Sequence, residues 1–335
     1  MERPLVAAIL AGGTGSRLYP ASRRDRPKQL LALDGDGTLL ERTVSRVGFA
    51  DAVVTVTRPD FADAVRETVP ETTVLVEPAG KDTGPALAYA THRIEKRFAD
   101  PVVLALPSDH HVDGDFETPV RRGARVAAGT DAPVTFGVEP TRPETGYGYI
   151  EPGRDRGDYA EVAAFHEKPD AETARRYVER GYYWNAGIFA WTPAAFRAAA
   201  RNTPLAPLLD ALDAGEATAG FDAIDPVSVD YAVFERADDV VTVPLGVEWD
   251  DLGSWDALRR VLPADADDTV AAGDVEVVSL DAEHNVVAGD GVHVSLVGVD
   301  DLAVVACDDR VLVVSTERAQ RVRDLVTKLR GRNEF

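Results

Sequence analysis

The chain has 335 residues, 45% of them hydrophobic, with 57 acidic against 36 basic side chains and a formal net charge of -21. That length exceeds one ordinary domain and the hydrophobic share suffices for a full core, so one large domain with a smaller appendage is expected. The charge excludes nucleic acid and anionic membrane as partners, because both are held mainly by basic surface; the single cysteine, Cys307, excludes an intrachain disulfide and a thiolate zinc cluster.

Only five of the 36 basic residues are lysines: Lys28, Lys81, Lys96, Lys168 and Lys328. Abundant aspartate with so little lysine is the balance of a halophilic protein, whose surface carboxylates hold water and ions in concentrated salt. No stretch approaches the roughly 20 apolar residues of a membrane span. The opening residues lack the charged and apolar regions of a signal peptide, and a cytoplasmic protein is the expectation.

From residue 5 to about 261, short β-rich apolar runs alternate with amphipathic segments. Strands are predicted at 5–10, 52–57, 73–77, 102–106 and 133–138, and helices at 83–98 and 116–128. Such alternation predicts a Rossmann-like α/β architecture, a mostly parallel sheet flanked by helices. Thr38 and Glu41, in "TLLE", fit a capping box and predict a helix start between the first two strands.

The rhythm then changes. Three aromatic-rich runs, 146–151, 159–169 and 182–191, are predicted strands outside simple βαβ order, an insertion closing over one side of a pocket. The polar, Pro-bearing stretch 262–268 reads as a linker. Beyond it, 269–315 consists of short valine-rich strands separated by Gly, Asp and Asn, which predicts a small all-β, β-helix-like module. A helix at 317–329 follows. The expected domains are therefore 1–262 and 268–335.

Chemistry concentrates just after the first strand, in "AGGTGSRLYPASRRDRPKQ". A glycine-rich loop there presents backbone amides to phosphate, since a chain without Cβ atoms turns sharply and approaches an anion closely. The run is not a P-loop, and Leu18 stands where a dinucleotide fingerprint needs its third glycine. Arg17 and Lys28 add a paired donor and a compact charge able to neutralise a triphosphate. The "RRDR" run at 23–26 reads as solvated surface. Asp109 follows a predicted strand, at the carboxyl edge where open α/β sheets bind ligands. With Asp251 of "WDDLGSW" it makes a hard-oxygen pair of the kind that holds Mg²⁺ together with substrate phosphates. Structural alternatives exist for each: a tight turn for the glycines and a helix-capping aspartate for Asp109.

These motifs carry a resemblance. "LAGGTGSRLYPASRRDRPKQ" is similar to the signature of the sugar-phosphate nucleotidyltransferases, and its "PKQ" ending resembles the mannose-1-phosphate guanylyltransferase branch. "EPAGKDTGPALA", "LPSDH", "FGVEPTRPETGYGYIE", "FHEKPD", "WNAGIFAW", "SVDYAVFE" and "WDDLGSW" extend the likeness in order, and "HNVV" and "VGVDDLAVVACDDRVLVVS" continue it through the small module. The resemblance implies a GT-A-like catalytic fold, Mg²⁺ as cofactor, and transfer of GMP from GTP to mannose 1-phosphate. It implies nucleotide contacts at Leu10, Ala11, Gly12, Gly13, Thr14, Gly15, Ser16, Arg17, Lys28, Glu77, Asp82, Thr83, Pro107 and Asp109. It favours Asp251 over its neighbour Asp250 as the second metal carboxylate. Asp82 departs from the asparagine usual in the family.

On the sugar side the resemblance points to Gly146, Tyr147, Gly148, Glu167, Lys168, Asn185 and Gly187. Glu167 can accept from vicinal hydroxyls, Lys168 can contact the sugar's phosphate, and Asn185 offers both a donor and an acceptor. The alternative for Glu167 and Lys168 is a surface ion pair worth about 0 to 1 kcal/mol. Two other functions remain open at this stage: transfer from UTP or dTTP to glucose 1-phosphate, and a non-catalytic nucleotide-sugar sensor. The small module is expected to pack on the large domain or to mediate a homodimer.

Overall fold

Apolar, β-branched segments become the strands of a nine-stranded sheet in the computed structural model, which describes residues 3–33, 37–237, 239–332 and 335. Leu5–Leu10 (β1), Ala52–Thr57 (β2), Thr73–Val76 (β3) and Val102–Pro107 (β4) lie in the order β3-β2-β1-β4, all parallel. β1 is buried at five of its six positions, as a strand covered on both faces must be. The helix Leu39–Arg46 (α1) follows β1; Ala62–Thr68 (α2) and Thr83–Arg97 (α3) make the next connections, and Glu117–Thr130 (α4) follows β4. The capping box forms as expected, with Thr38 N–H donating to Glu41 Oε2 at 2.6 Å and Glu41 N–H to Thr38 Oγ1 at 3.2 Å.

The remaining strands are His111–Asp113 (β5), Val134–Val138 (β6), Tyr149–Asp155 (β7), Ala160–His166 (β8), Tyr183–Trp191 (β9), Val241–Pro244 (β10) and Glu248–Asp250 (β11). β5 and β11 lie outside the large sheet, which continues β4-β9-β6-β10-β8-β7. Here the structure differs from the expected insertion. The aromatic strands belong to the sheet itself, and β9 is wedged antiparallel between β4 and β6. Trp184, Phe189 and Trp191 need burial on both sides, which a central strand supplies and an edge insertion does not.

Two compact units emerge, and neither is a continuous stretch of chain. The first comprises 1–12, 44–107 and 112–249; the second comprises 13–43, 108–111 and 250–335. The first unit's core sets Val6, Val54 and Val103 of the sheet against Leu87 and Ile94 of α3, with Phe196, Phe221 and Phe234.

In the second unit, Val270–Leu280 (β12), Val286–Val297 (β13), Leu302–Cys307 (β14) and Arg310–Ser315 (β15) form one sheet in chain order. The first two pairings are parallel and the last antiparallel. Val270 pairs with Val286 and Val286 with Ala303, so each circuit takes 16 or 17 residues. That is too short for a helical crossover, and the chain coils as a β-helix does. A short 3-10 turn and the helix Val322–Arg330 close it. Its core joins Val270, Val286, Val305 and Val326 to Leu18, Leu31 and Leu39 from the segment after β1. Among the described residues no helix is long and apolar enough to cross a membrane.

Candidate active site

The glycine-rich loop begins where β1 ends, and the division between the two units falls between Gly12 and Gly13. Gly15 adopts φ +62, and a side chain there would overlap Cβ of Lys28, so close approach and backbone hand both require glycine. Lys28 is buried to 5% exposure on a short 3-10 turn. Its ammonium donates to the Asp251 carbonyl oxygen at 2.6 Å and pairs with Asp109 Oδ2 at 2.8 Å. One cation thus gathers oxygens from both predicted metal residues.

Burial alone would raise the pKa of Asp109. Lys28 outweighs it, helped by His110 and Arg17, and holds the carboxyl below its ordinary value. Asp251 places Oδ1 2.9 Å from the N–H of Gly253. Its neighbour Asp250 is otherwise engaged: both of its oxygens receive Arg260, at 2.6 and 3.1 Å. Between Asp251 and Gly253 stands Leu252 at φ 46, strained for a branched side chain. Among the described non-glycine residues of positive φ, only Leu252 and Lys168 are neither aspartate nor histidine. Both stand in candidate motifs, where such strain concentrates. Among the described residues no group of three or more His, Cys, Asp or Glu gathers as a metal cluster.

Sequence reasoning missed how this loop is anchored. Arg17 donates to Gln320 Oε1 at 3.2 Å, and Gln320 Nε2 donates to Ser254 Oγ at 2.9 Å. Trp255 Nε1 donates to the Tyr19 carbonyl at 3.0 Å. The "RRDR" run is not merely solvated: Arg23 pairs with Asp308, and Arg26 reaches Asp290 at 3.5 Å. A run of arginines in an acidic chain was the available signal, but its partners lie hundreds of residues away.

The other predicted residues fall in the first unit. The Thr57 hydroxyl donates to the Ala11 carbonyl at 2.8 Å, and its own carbonyl accepts from Glu77 N–H at 2.9 Å, which ties the end of β1 to Glu77. Glu77 is only 4% exposed and its Oε2 is buried without a hydrogen-bond partner. Burial drives its pKa up to about 7 against the pull of Arg58, with Asp82 adding to the rise. Arg58 was not foreseen, and its Nε is likewise buried and unpartnered. Asp82, at φ 73, caps α3 by accepting from Thr83 N–H at 2.7 Å. The Thr83 hydroxyl accepts from Val229 N–H at 2.9 Å. Pro107 ends β4.

On the sugar side, Asn185 N–H donates to the Gly148 carbonyl at 2.9 Å, and a Cβ on Gly148 would stand 3.1 Å from Glu167 Oε2. Gly148, Glu167 and Asn185 therefore line one cradle. Glu167 and Lys168 pair with each other and are both about 60% exposed. Tyr147 is buried, its ring packed edge-on against Trp184 and Trp249; Gly146 N–H is taken by Glu144 at 3.0 Å. Gly187 donates its N–H to Asn185 Oδ1 at 3.1 Å. One acid escaped sequence reasoning: Asp230, which accepts from Asn185 Nδ2 at 2.7 Å.

With this geometry in hand, comparison with known proteins is specific. Residues 6–268 match the nucleotidyl transferase family, and 275–329 match the MannoseP isomerase/GMP-like beta-helix domain. A mannose-1-phosphate guanylyltransferase of Escherichia coli is 37% identical over 97% of this chain and 74% of its own length. The xanthan biosynthesis protein XanB of Xanthomonas campestris is 36% identical with the same coverage. A crystal structure from Thermus thermophilus, described as a mannose-1-phosphate geranyltransferase, superposes with a TM-score of 0.91 at 35% identity, over 98% of this chain and 99% of that one.

Proposed function

We propose guanylyl transfer for this chain, which belongs to the nucleotidyl transferase family: GMP passes from GTP to α-D-mannose 1-phosphate, giving GDP-mannose and pyrophosphate. The sugar phosphate is already an anionic nucleophile, so neither a covalent intermediate nor a strong base is needed. The work is alignment and charge neutralisation, with a phosphate oxygen of the sugar attacking the α-phosphorus in line and pyrophosphate leaving opposite. The observation that carries this reading is Lys28, a buried cation held on Asp109 and on the Asp251 carbonyl beside a phosphate-binding type of loop. Arg17, Lys28 and the amides of Gly13, Thr14, Gly15 and Ser16 would offset triphosphate charge.

Asp109 and Asp251 suit a hard divalent cation. Asp109 stays ionised, and oxygens of both residues already gather round an ammonium. Mg²⁺ bound there would supply positive charge against the phosphates as charge builds in the transition state. Glu167 and Asn185 would hold sugar hydroxyls, Lys168 the sugar's phosphate, and the backbone at Gly146, Tyr147, Gly148 and Gly187 would border the ring.

The preference for GTP rests on the likeness to guanylyltransferases. A panel of four nucleotides against several sugar 1-phosphates, scored by pyrophosphate release, tests the reading. GTP with mannose 1-phosphate is expected to lead. A lead for UTP or dTTP with glucose 1-phosphate would overturn it, and binding without release would favour a sensor.

Catalysis is assigned to 1–262 and assembly to 268–335. Val278, Leu280, Val297, Val311 and Val313 of the small sheet are large exposed apolar residues, which supports a homodimer through it. Light scattering at several concentrations should give twice the chain mass, and a constant monomer mass would refute this. The acidic surface supports work in a salt-rich cytoplasm.

A further inference from the structure

Asn185 has more hydrogen-bonding partners than its sequence motif reveals. Its side-chain oxygen accepts from Gly187 N–H at 3.1 Å and from the Thr135 hydroxyl at 3.5 Å, while Nδ2 donates to Asp230 Oδ1 at 2.7 Å. A primary amide has two N–H donors and two acceptor lone pairs. Both lone pairs are used here, and one N–H remains. Turning the amide over would set its oxygen against the Asp230 carboxylate and its nitrogen against the Gly187 N–H, a clash of like groups at both ends.

Asp230 is itself held in place by unusual backbone. It opens a π-helical turn, Asp230–Phe234, a form found mostly at functional positions. The segment before it is stapled to the start of α3: Gly84 N–H donates to the Val227 carbonyl at 3.0 Å, Val229 N–H to the Thr83 hydroxyl at 2.9 Å, and the Lys81 ammonium to the Ile224 carbonyl at 2.9 Å. Burial raises the pKa of Asp230 and Asn185 opposes the rise, while Glu167 and Asp82 add to it, so acid and amide are coupled.

We propose that Asp230 is a positioning residue which locks Asn185 as a pure hydrogen-bond donor toward the sugar, so that Glu167 alone of the two accepts hydroxyl protons. The proposal rests on the sugar 1-phosphate reading above. It assigns the two residues opposite duties: Asn185 binds a sugar oxygen through its lone pair, and Glu167 binds one through its proton. A locked donor–acceptor pair distinguishes hydroxyls by orientation, as a site built of polar groups with fixed roles must.

The test is Asp230→Asn, which keeps shape and replaces an acceptor-only group with one that can also donate and so no longer dictates which end of the Asn185 amide faces it. The KM for mannose 1-phosphate is expected to rise about tenfold, the equivalent of one lost hydrogen bond, with the KM for GTP within about twofold. Asn185→Ala is expected to raise the sugar KM at least as much. In the Asn185→Ala background, Asp230→Asn is expected to change the sugar KM less than about twofold, because its target is gone. Additive losses in the double variant, or equal rises in both KM values, would overturn the proposal and show a merely structural acid. Should Asp230→Asn fail to fold, Asn185→Asp, which faces Asp230 with a second carboxylate, must lose more sugar affinity than Asn185→Ala, and an equal or smaller loss would overturn it. If the wild type releases no pyrophosphate from GTP with any sugar 1-phosphate, the transfer reading falls and this proposal falls with it; activity with an unchanged sugar KM in Asp230→Asn sinks the proposal alone.

Discussion

Asp109 and Asp230 carry the same carboxyl group into two surroundings, and their proton affinities part. Beside the glycine-rich loop, a buried lysine overrides burial and keeps Asp109 ionised. On the sugar side the neighbours of Asp230 are an amide and other acids, and burial prevails there. The difference matches the ligands proposed for each region. Phosphate needs permanent charge and the groups that balance it, whereas hydroxyls need donors and acceptors with settled roles, which an amide locked by its neighbours supplies.

Removing the lysine should break the contrast most. Lys28→Ala, and likewise Asp251→Asn, is expected to cut turnover at saturating GTP and magnesium by at least the ~10²- to 10³-fold typical of losing a transition-state charge partner. In Lys28→Ala the carboxyl of Asp109, with only His110 and Arg17 left to oppose burial, should titrate higher than in the wild type. Near-normal turnover in either variant would remove that residue from the catalytic assignment.

Glu77 sharpens the contrast through stability. Its folded pKa of about 7 lies above the ordinary 4.5, so the folded chain holds this proton more tightly than the unfolded chain does. Its contribution to stability is fully present below about pH 4.5 and is lost as pH rises through about 7, for a total of about 3 kcal/mol. Glu77→Gln should therefore match the wild type in urea unfolding at pH 4.5 and exceed it at pH 8. Equal stability at both values would mean that Glu77 titrates normally.

The smallest effect is expected at the exposed pair. Glu167→Gln should raise the KM for mannose 1-phosphate about tenfold through one lost charged acceptor, leave the KM for GTP unchanged, and let the pKa of Asp230 fall by removing a nearby like charge. Its stability should move by less than about 1 kcal/mol, because surface ion pairs contribute little. A sugar KM within twofold of wild type would reduce Glu167 to a solvated partner of Lys168.

Much of this was legible along the chain. The alternation of apolar runs predicted β1 to β4 nearly to the residue, the capping box at Thr38 and Glu41 formed, and valine-rich runs punctuated by Gly, Asp and Asn announced the β-helix-like coil. The glycines, Arg17, Lys28, Asp109 and Asp251 stood out by residue type and local context, and the structure brings Lys28 to Asp109 and to the Asp251 carbonyl. Such signals are short-range: periodicity, capping and left-handed turns are decided by neighbours in sequence.

What the sequence left undecided were the partnerships, which depend on residues far apart. Lys28 reaches the Asp251 carbonyl across 223 positions. Residues 13–43, contiguous with β1, join the compact unit of 250–335 because Leu18, Leu31 and Leu39 find their apolar contacts there. The aromatic strand β9 entered the centre of the sheet, where its rings are covered on both faces, and Asp230 became visible only when the π turn brought it to Asn185. Whether a given aspartate is held ionised or pushed toward its neutral form follows from burial and from the charge beside it, and only the folded chain sets those two quantities.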